Sequence, residues 1–189
     1  MDILRIIEIL GVISGLVYLW FEYKASLWLW IAGMVMSILY IYIYFSSKFY
    51  ADMGIYIYYL FANIYGLAIW NRHKKESQKQ DASFCHVKRS YILPLVSVAL
   101  VLWLVIWLLL TKFTDSPIPI GDAFTTALSI TAMWMMSRKQ VEQWLLWFVV
   151  NVVSLSIYFY KDLYPTAGLF VVYAVVSIMG YIKWKKLIA

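Results

Sequence analysis

Two tryptophans and one asparagine make up the pattern in this sequence that could do chemistry. Trp144, Trp147 and Asn151 are spaced i, i+3, i+7 in an apolar stretch, and Tyr158 extends the same helical stripe two turns further. A side-chain amide inside a hydrophobic span is costly unless it has a hydrogen-bond partner. Two aromatic planes beside one amide suit a flat small molecule with a polar edge, so the pattern predicts a binding site.

The elements that must position this pattern are membrane-spanning helices. Of the 189 residues, 64% are hydrophobic and only 14% are charged, whereas a soluble domain is nearer half apolar and a quarter charged. The predicted fold class is an all-α integral membrane protein with seven transmembrane helices. The seven hydrophobic runs are Ile3–Phe21, Leu27–Phe45, Ala51–Trp70, Ser90–Leu110, Gly121–Ser137, Val141–Tyr160 and Thr166–Trp184.

The distribution of basic residues predicts how the helices cross the membrane. Twelve of the 16 Lys and Arg residues fall on one side of the predicted spans, and four fall on the other. Loops rich in Lys and Arg stay in the cytoplasm, so the amino terminus is predicted outside and the carboxyl terminus inside. The net charge of +6 therefore reflects topology and does not indicate a nucleic-acid partner.

The chain also contains an internal repeat. A shift of 114 residues aligns Trp20 with Trp134, Trp30 with Trp144, Gly66 with Gly180 and Trp70 with Trp184, so identities fall in all three spans of each half. The same shift places Ser37 opposite Asn151. This predicts two parallel three-helix repeats joined by a linker helix, a 3+1+3 plan with substrate near the midplane at the repeat interface. The predicted divisions are a first bundle over 1–70, a basic cytoplasmic loop over 71–89, a linker helix and outer loop over 90–119, and a second bundle over 120–189.

The sequence contains no pattern that predicts a catalytic site or a metal site. There is one cysteine, and both histidines lie in the charged loop, so neither a disulfide framework nor a cysteine-based metal site is predicted. Three of the acidic residues, Glu8, Asp52 and Glu142, sit singly near span ends, where side chains reach the interface. We therefore predict no enzyme activity, no cofactor, no bound metal and no proton or sodium pathway.

Five sequence blocks together resemble a known family. They are W-x-x-W-x-x-x-N at 144–151, RKQVEQW at 138–144, KFYADMG at 48–54, NIYGLAIW at 63–70 and GYIKW at 180–184. The chain resembles the PnuC-type vitamin transporters, whose members take up nicotinamide riboside, thiamine or riboflavin. The resemblance implies a SWEET-like architecture, a homotrimer in the bacterial inner membrane, and facilitated diffusion followed by trapping through cytoplasmic phosphorylation.

The choice of vitamin depends on two positions. Nicotinamide riboside members carry Asn and Gln where this chain has Met36 and Tyr56. The aromatic-rich segments around these two residues look more like the thiamine-transporting PnuT branch, so thiamine is the predicted substrate and nicotinamide riboside is the alternative. Both are flat cations, and cation–π contacts of roughly 0.5–2 kcal/mol suit either. A further alternative is a vitamin-binding subunit that depends on a separate ATPase.

Nine residues are predicted to contact the substrate. They are Trp144, Trp147, Asn151, Tyr158, Ser37, Tyr56, Tyr59, Asn63 and Tyr173. Each type also has a structural reading: tryptophans anchor spans at the membrane interface, amides and hydroxyls link helices, and tyrosines fill the space between them.

Overall fold

The chain folds into seven α-helices in a computed structural model that describes residues 3–46, 50–76, 84–114, 116–160 and 164–188. In lipid, backbone polar groups must be satisfied within the segment, so apolar runs of this length form helices. The all-α prediction with seven helices is confirmed. The helices are α1 (Ile3–Tyr23), α2 (Trp28–Ser46), α3 (Tyr50–Glu76), α4 (Arg89–Phe113), α5 (Pro119–Ser137), α6 (Gln143–Tyr160) and α7 (Tyr164–Lys185).

Only α3 departs clearly from its predicted bounds. It continues to Glu76, whereas hydropathy placed its end at Trp70. Hydropathy falls at the membrane surface, but Arg, Lys and Glu are good helix formers, so backbone hydrogen bonding continues beyond the apolar run. The predicted loop over 71–89 is therefore helical over 71–76, and residues 77–83 lie outside the described part of the chain.

Four helical segments among the described residues are long and apolar enough to cross a membrane. They are Met53–Arg72, Arg89–Phe113, Gln143–Tyr160 and Ala167–Lys185, with a shorter apolar helix at Trp28–Tyr42. Helix α5 is more polar because it carries Asp122 and several hydroxyl residues. Two of these, Ser129 and Thr131, donate to carbonyl oxygens four residues earlier in the same helix, which lowers the cost of burying them.

The helices group into two compact units, Met1–Ala82 and Ser83–Ala189. In the first unit, α2 packs on α1 and α3, and in the second unit α6 packs on α5 and α7. Helix α4, the predicted linker helix, packs on α5 within the second unit. The Trp103 indole explains this contact, since it donates to the Ile120 carbonyl oxygen at 3.1 Å and its ring meets Phe124 edge-on at 5.4 Å.

The turns α1–α2 and α5–α6 have matching geometry. Ala25 and Lys139, which are 114 residues apart, have φ angles of 54° and 55°. One residue earlier in each turn, a cation lies over a tryptophan ring: Lys24 Nζ is 4.4 Å from the Trp20 ring centroid, and Arg138 Cζ is 4.3 Å from that of Trp134. The two turns therefore agree in both backbone and side-chain geometry, as the predicted repeat requires.

The helix pairs α2–α3 and α6–α7 are also packed alike, each by two tryptophans and a glycine. In the second unit, Trp144 meets Trp184 edge-on with ring centroids 5.5 Å apart, and a Cβ atom at Gly180 would lie 2.6 Å from the Trp144 ring. The counterparts in the first unit, Trp30, Trp70 and Gly66, have the same 5.5 Å separation and the same contact of ring with glycine. Glycine is required at both positions because the indole lies directly on the helix backbone.

Replacing Gly180 by alanine is expected to destabilise the protein by about 1–3 kcal/mol, the usual cost of overpacking a close contact. Gly168 on the same helix is the matched control, since a Cβ atom there has nothing within 4 Å. Alanine at 168 should leave stability unchanged or raise it, because glycine is the poorer helix former. Thermal unfolding of the purified variants in detergent measures both, and equal melting temperatures would contradict the packing described.

Candidate functional site

Helices α6 and α7 are joined by a buried polar pair. Asn151 Nδ2 donates to Ser177 Oγ at 3.1 Å, and the Ser177 hydroxyl donates to the Tyr173 carbonyl oxygen at 2.8 Å. Asn151 is 6% exposed and Ser177 is 2% exposed. This hydrogen-bond chain joins the Asn151 side chain to the backbone of Tyr173 and fixes the orientation of the amide.

Helices α2 and α3 carry the same two side-chain types on exchanged helices. The amide is Asn63 on α3, and its Nδ2 donates to the Tyr59 carbonyl oxygen at 2.7 Å. The hydroxyl is Ser37 on α2, which donates to the Gly33 carbonyl oxygen at 2.7 Å. Asn63 Oδ1 is buried and finds no hydrogen-bond partner among the described residues. A buried acceptor left in this way is available to a ligand or a water molecule.

The exchange goes together with a difference in residue size at one position of the repeat. A Cβ atom at Gly33 would collide with the Asn63 amide, so the first unit accommodates asparagine on α3 only because glycine faces it. The position 114 residues after Gly33 is Trp147, and its partner in that register is the shorter Ser177. In the second unit the amide is on α6, at Asn151, and the hydroxyl is on α7, at Ser177.

The two predicted site tryptophans differ in their surroundings. Trp144 is 1% exposed and is packed against Trp184 and Gly180, as its counterpart Trp30 is packed in the first unit. Trp147 is half-buried, and the first unit has glycine in its place. The indole nitrogens of both Trp144 and Trp147 are buried without a hydrogen-bond partner among the described residues. Trp144 is built into the helix pair, whereas the first unit has no side chain at the position equivalent to Trp147.

The predicted site tyrosines stack on aromatic neighbours within their own units. Tyr158 lies parallel to Phe170 at 5.1 Å and 14°, and Tyr173 meets Phe170 edge-on at 5.8 Å and 79°. Three tyrosines repeat this arrangement in the first unit, with ring separations of 4.6 and 5.6 Å: Tyr40, Tyr56 and Tyr59. All these rings are half-buried. Each unit thus places a ladder of aromatic rings on the helix pair that also carries its buried amide.

Two glutamines were missed by the sequence analysis. Gln143 is 0% exposed, and neither its Oε1 nor its Nε2 atom has a hydrogen-bond partner among the described residues. Gln140 is 8% exposed, and its Oε1 atom is likewise without one in the same part of the chain. The signal that could have found Gln143 lies in the repeat, since the position 114 residues earlier is Leu29, which is also 0% exposed.

A short extended segment holds the start of α6. We call residues 84–87 the strap. Its Cys85 N–H donates to the Lys139 carbonyl oxygen at 3.2 Å, and the Val141 N–H donates back to the Cys85 carbonyl oxygen at 3.1 Å. These two bonds form a β-bridge opposite Gln140. Burial at this turn lowers the pKa of the Lys139 amine below its usual value.

Side chains reinforce the strap on both sides of the bridge. His86 Nδ1 is 2.6 Å from Glu142 Oε1, and the Val87 N–H donates to Glu142 Oε2 at 3.0 Å. The Phe84 ring lies 4.7 Å from that of Trp184. The strap therefore ties the turn before Gln143 to the tryptophan cluster of α6 and α7.

A cavity of about 330 Å³ opens on α4 and α5. It is lined by Trp103, Leu104, Trp107 and Ile120. Because this lining is apolar and includes none of the nine predicted site residues, the cavity does not supply the polar contacts of a vitamin site.

Comparison with solved structures places this arrangement of helices among membrane transporters. A crystal structure described as that of the vitamin B3 transporter PnuC matches with a TM-score of 0.73 and 25% identity, over 94% of this chain and 79% of the other. The family model for the nicotinamide mononucleotide transporter matches residues 5–186. The chain belongs to this family, the PnuC transporters, so the predicted family is confirmed.

Two relatives illustrate the range of the similarity. The nicotinamide riboside transporter PnuC of Neisseria mucosa is 27% identical over 93% of this chain and 70% of its own length. The nicotinamide riboside transporter PnuC of Escherichia coli K12 is 24% identical over 94% of this chain and 84% of its own. Because the matches span nearly the whole chain, the shared family covers both three-helix regions.

Proposed function

We propose that this protein carries nicotinamide riboside across the membrane by facilitated diffusion. The observation that carries the proposal is a buried amide, Asn151, held by Ser177 beside aromatic rings on helices of a PnuC-family fold. A flat pyridinium with a polar carboxamide and a hydroxyl-rich ribose needs such a combination of ring faces and hydrogen-bonding groups. The named relatives are nicotinamide riboside transporters, which supports the same substrate here.

The comparisons favour nicotinamide riboside over thiamine, reversing the preference drawn from the sequence. That preference depended on Met36 and Tyr56 standing where Asn and Gln were expected. Tyr56 is already stacked on Tyr40 at 4.6 Å, so its ring has an intramolecular partner. Within the second unit, the buried amide of Asn151 supplies a polar group for the riboside that does not depend on Met36 or Tyr56.

The charge distribution favours the riboside over the phosphorylated mononucleotide. Helices α2 and α6 contain no charged residue. The two lysines of α7, Lys183 and Lys185, lie in its last turn. A phosphate dianion buried beside these helices would lack a cationic partner, which is strongly unfavourable. A riboside brings no such charge and matches the amides and hydroxyls present.

The same distribution supports uncoupled transport in the bacterial inner membrane. Ion-coupled carriers place ionisable groups in the membrane beside the substrate, and neither α2 nor α6 has one. Glu22, which is buried, and Asp122 lie in the terminal turns of α1 and α5, and Glu142 directly precedes α6. Net uptake then requires a sink, such as phosphorylation of the riboside in the cytoplasm. A homotrimer, an outward amino terminus and a cytoplasmic carboxyl terminus complete the proposal.

Uptake by purified protein in liposomes tests the function. We expect saturable uptake of radiolabelled nicotinamide riboside down its gradient, unaffected by ionophores, with much weaker competition from thiamine and from the mononucleotide. Uptake only in the presence of a separate ATPase would instead support the binding-subunit alternative. Uptake of thiamine without nicotinamide riboside would overturn the substrate while leaving the transporter class intact.

Cys85 provides a test of the proposed orientation. It is exposed and is the only cysteine in the chain, and it lies on the side predicted to be cytoplasmic. A membrane-impermeant maleimide should label it in inverted membrane vesicles and leave it unlabelled in intact cells. Labelling in intact cells would contradict the orientation, and Cys85→Ser controls for other sites of reaction.

The pH dependence of that labelling follows from the surroundings of the thiol. Partial burial and the negative charge of Glu142 raise the pKa of Cys85 above its usual value. The thiolate is the reacting form, so at neutral pH labelling should be slower than that of a small free thiol. The rate should continue to rise with pH beyond the point where the free thiol levels off. A rate that levels off at the same pH would show that partial burial and Glu142 do not raise the pKa of this thiol.

A further inference from the structure

Gln143 is a buried amide for which helix packing gives no reason. Both polar atoms of its side chain lack a partner among the described residues, and the residue has no exposed surface. A primary amide buried in this way forfeits its hydrogen bonds to water, so proteins rarely keep one without a ligand, a water molecule or another polar group beside it.

The first unit shows what packing alone selects at this position. Leu29 stands 114 residues before Gln143 and is equally buried, and each is followed directly by the tryptophan that packs on a glycine. Leucine and glutamine are of similar size, so an apolar residue fits this site without an unsatisfied group. The second unit therefore has a polar side chain where its equivalent in the same fold has a hydrocarbon.

A second departure between the units lies one helical turn further along. Trp147 replaces Gly33, and its indole N–H is also buried without a partner among the described residues. Residues at i and i+4 are neighbours on one helix face. Gln143 and Trp147 therefore place one acceptor, at least two donors and an aromatic ring on the same face of α6.

This set of groups is complementary to an aromatic carboxamide. A carboxamide offers one carbonyl oxygen and one NH₂ group in a plane, which an amide side chain can pair with through both of its polar atoms. Building on the function proposed above, we propose that Gln143 is a specificity-determining residue that binds the substrate carboxamide, with Trp147 against the adjoining ring. Because Gln143 has no exposed surface, the contact forms when α6 and its neighbours separate during alternating access and close again over the substrate.

The test uses Gln143→Leu, which copies the residue of the first unit, and Gln143→Met, which keeps the length of the side chain. Binding of two ligands is measured by calorimetry on the detergent-purified protein: nicotinamide riboside, and the analogue with a carboxylate in place of the carboxamide. We expect melting temperatures equal to or above that of the unmodified protein. Affinity for nicotinamide riboside should fall by about tenfold to a hundredfold, as for loss of hydrogen bonds to a buried polar group, and discrimination against the carboxylate should disappear.

Three outcomes would overturn the inference. Unchanged affinity in both variants would remove Gln143 from the site. Equal losses for the two ligands would show that it does not read the carboxamide. A lower melting temperature with discrimination retained would assign the amide to a structural water, and Leu29→Gln gives the stability cost of an unpartnered amide for comparison. If the unmodified protein does not bind nicotinamide riboside, the proposed function itself fails. If the unmodified protein binds nicotinamide riboside and both Gln143 variants bind it with the same affinity, only this inference fails.

Discussion

Replacing Trp144 by alanine is expected to destabilise the protein by about 3–5 kcal/mol, the cost of truncating a fully buried tryptophan. Its ring is 1% exposed, meets Trp184 at 5.5 Å and lies on the backbone at Gly180. Alanine would leave a cavity between two helices whose spacing this ring sets. In detergent we expect a large fall in melting temperature and poor recovery of folded protein by size-exclusion chromatography.

The first unit supplies the control for this result. Trp30 has the same contacts with Trp70 and Gly66, so Trp30→Ala should destabilise to a similar degree. Trp144→Phe, which retains part of the ring contact, should have an intermediate effect. A Trp144→Ala protein that melted normally and lost only substrate binding would show that the ring serves the ligand and not the helix pair.

Trp147→Ala should behave differently, although both tryptophans belong to one sequence motif. Trp147 is half-buried, and the first unit packs with Gly33 at the equivalent position, so we expect helix packing to depend on it less than on Trp144. We expect a smaller change in stability and a loss of affinity for nicotinamide riboside of a fewfold to about thirtyfold, as for one cation–π contact. Comparing the two variants therefore distinguishes a tryptophan that packs the helices from one that binds the substrate, three positions apart on α6.

Hydropathy and periodicity were sufficient to predict the helices. Each apolar run must satisfy its own backbone in lipid, so its length and position determine a helix with little help from distant residues. The one large boundary error, at the end of α3, arose where the chain leaves the apolar region and that constraint ends. The repeat was also visible, because bulky Trp and small Gly are needed at the same positions in each unit.

The candidate site was only partly predictable because its polar groups depend on neighbours distant in the chain. The spacing of Asn151 placed it on a helix face, but its partner Ser177 belongs to another helix. Gln143 was not among the predicted site residues, since the sequence around it does not show that it is buried. The strap, which comes from a separate segment, is joined to the turn before Gln143 through His86 and Glu142. Neither spacing nor composition reveals that contact.

Replacing Asn151 by leucine is expected to weaken binding of nicotinamide riboside by about tenfold to a hundredfold while the protein still folds. The side chain is 6% exposed in an apolar span, and leucine fills a similar volume without an amide to satisfy. Hydrogen bonds between helices in membranes average only about 0.6 kcal/mol, so losing the contact with Ser177 should lower stability little. Calorimetric titration and thermal unfolding of the same preparation measure the two effects.

Two further variants decide whether Asn151 acts on the ligand or only through the helix pair. Ser177→Ala removes the hydroxyl that accepts from Asn151 but keeps the amide, so binding should weaken only a fewfold through a less well oriented side chain. Asn151→Ser copies Ser37, which satisfies itself by donating to the carbonyl oxygen four residues earlier, so it should fold normally and bind as poorly as the leucine variant. If Ser177→Ala lost as much affinity as Asn151→Leu, the amide would matter only because it joins α6 to α7. A loss confined to the two substitutions at 151 requires the amide itself to contact the riboside, since both leave the helix pair without a strained or unsatisfied group.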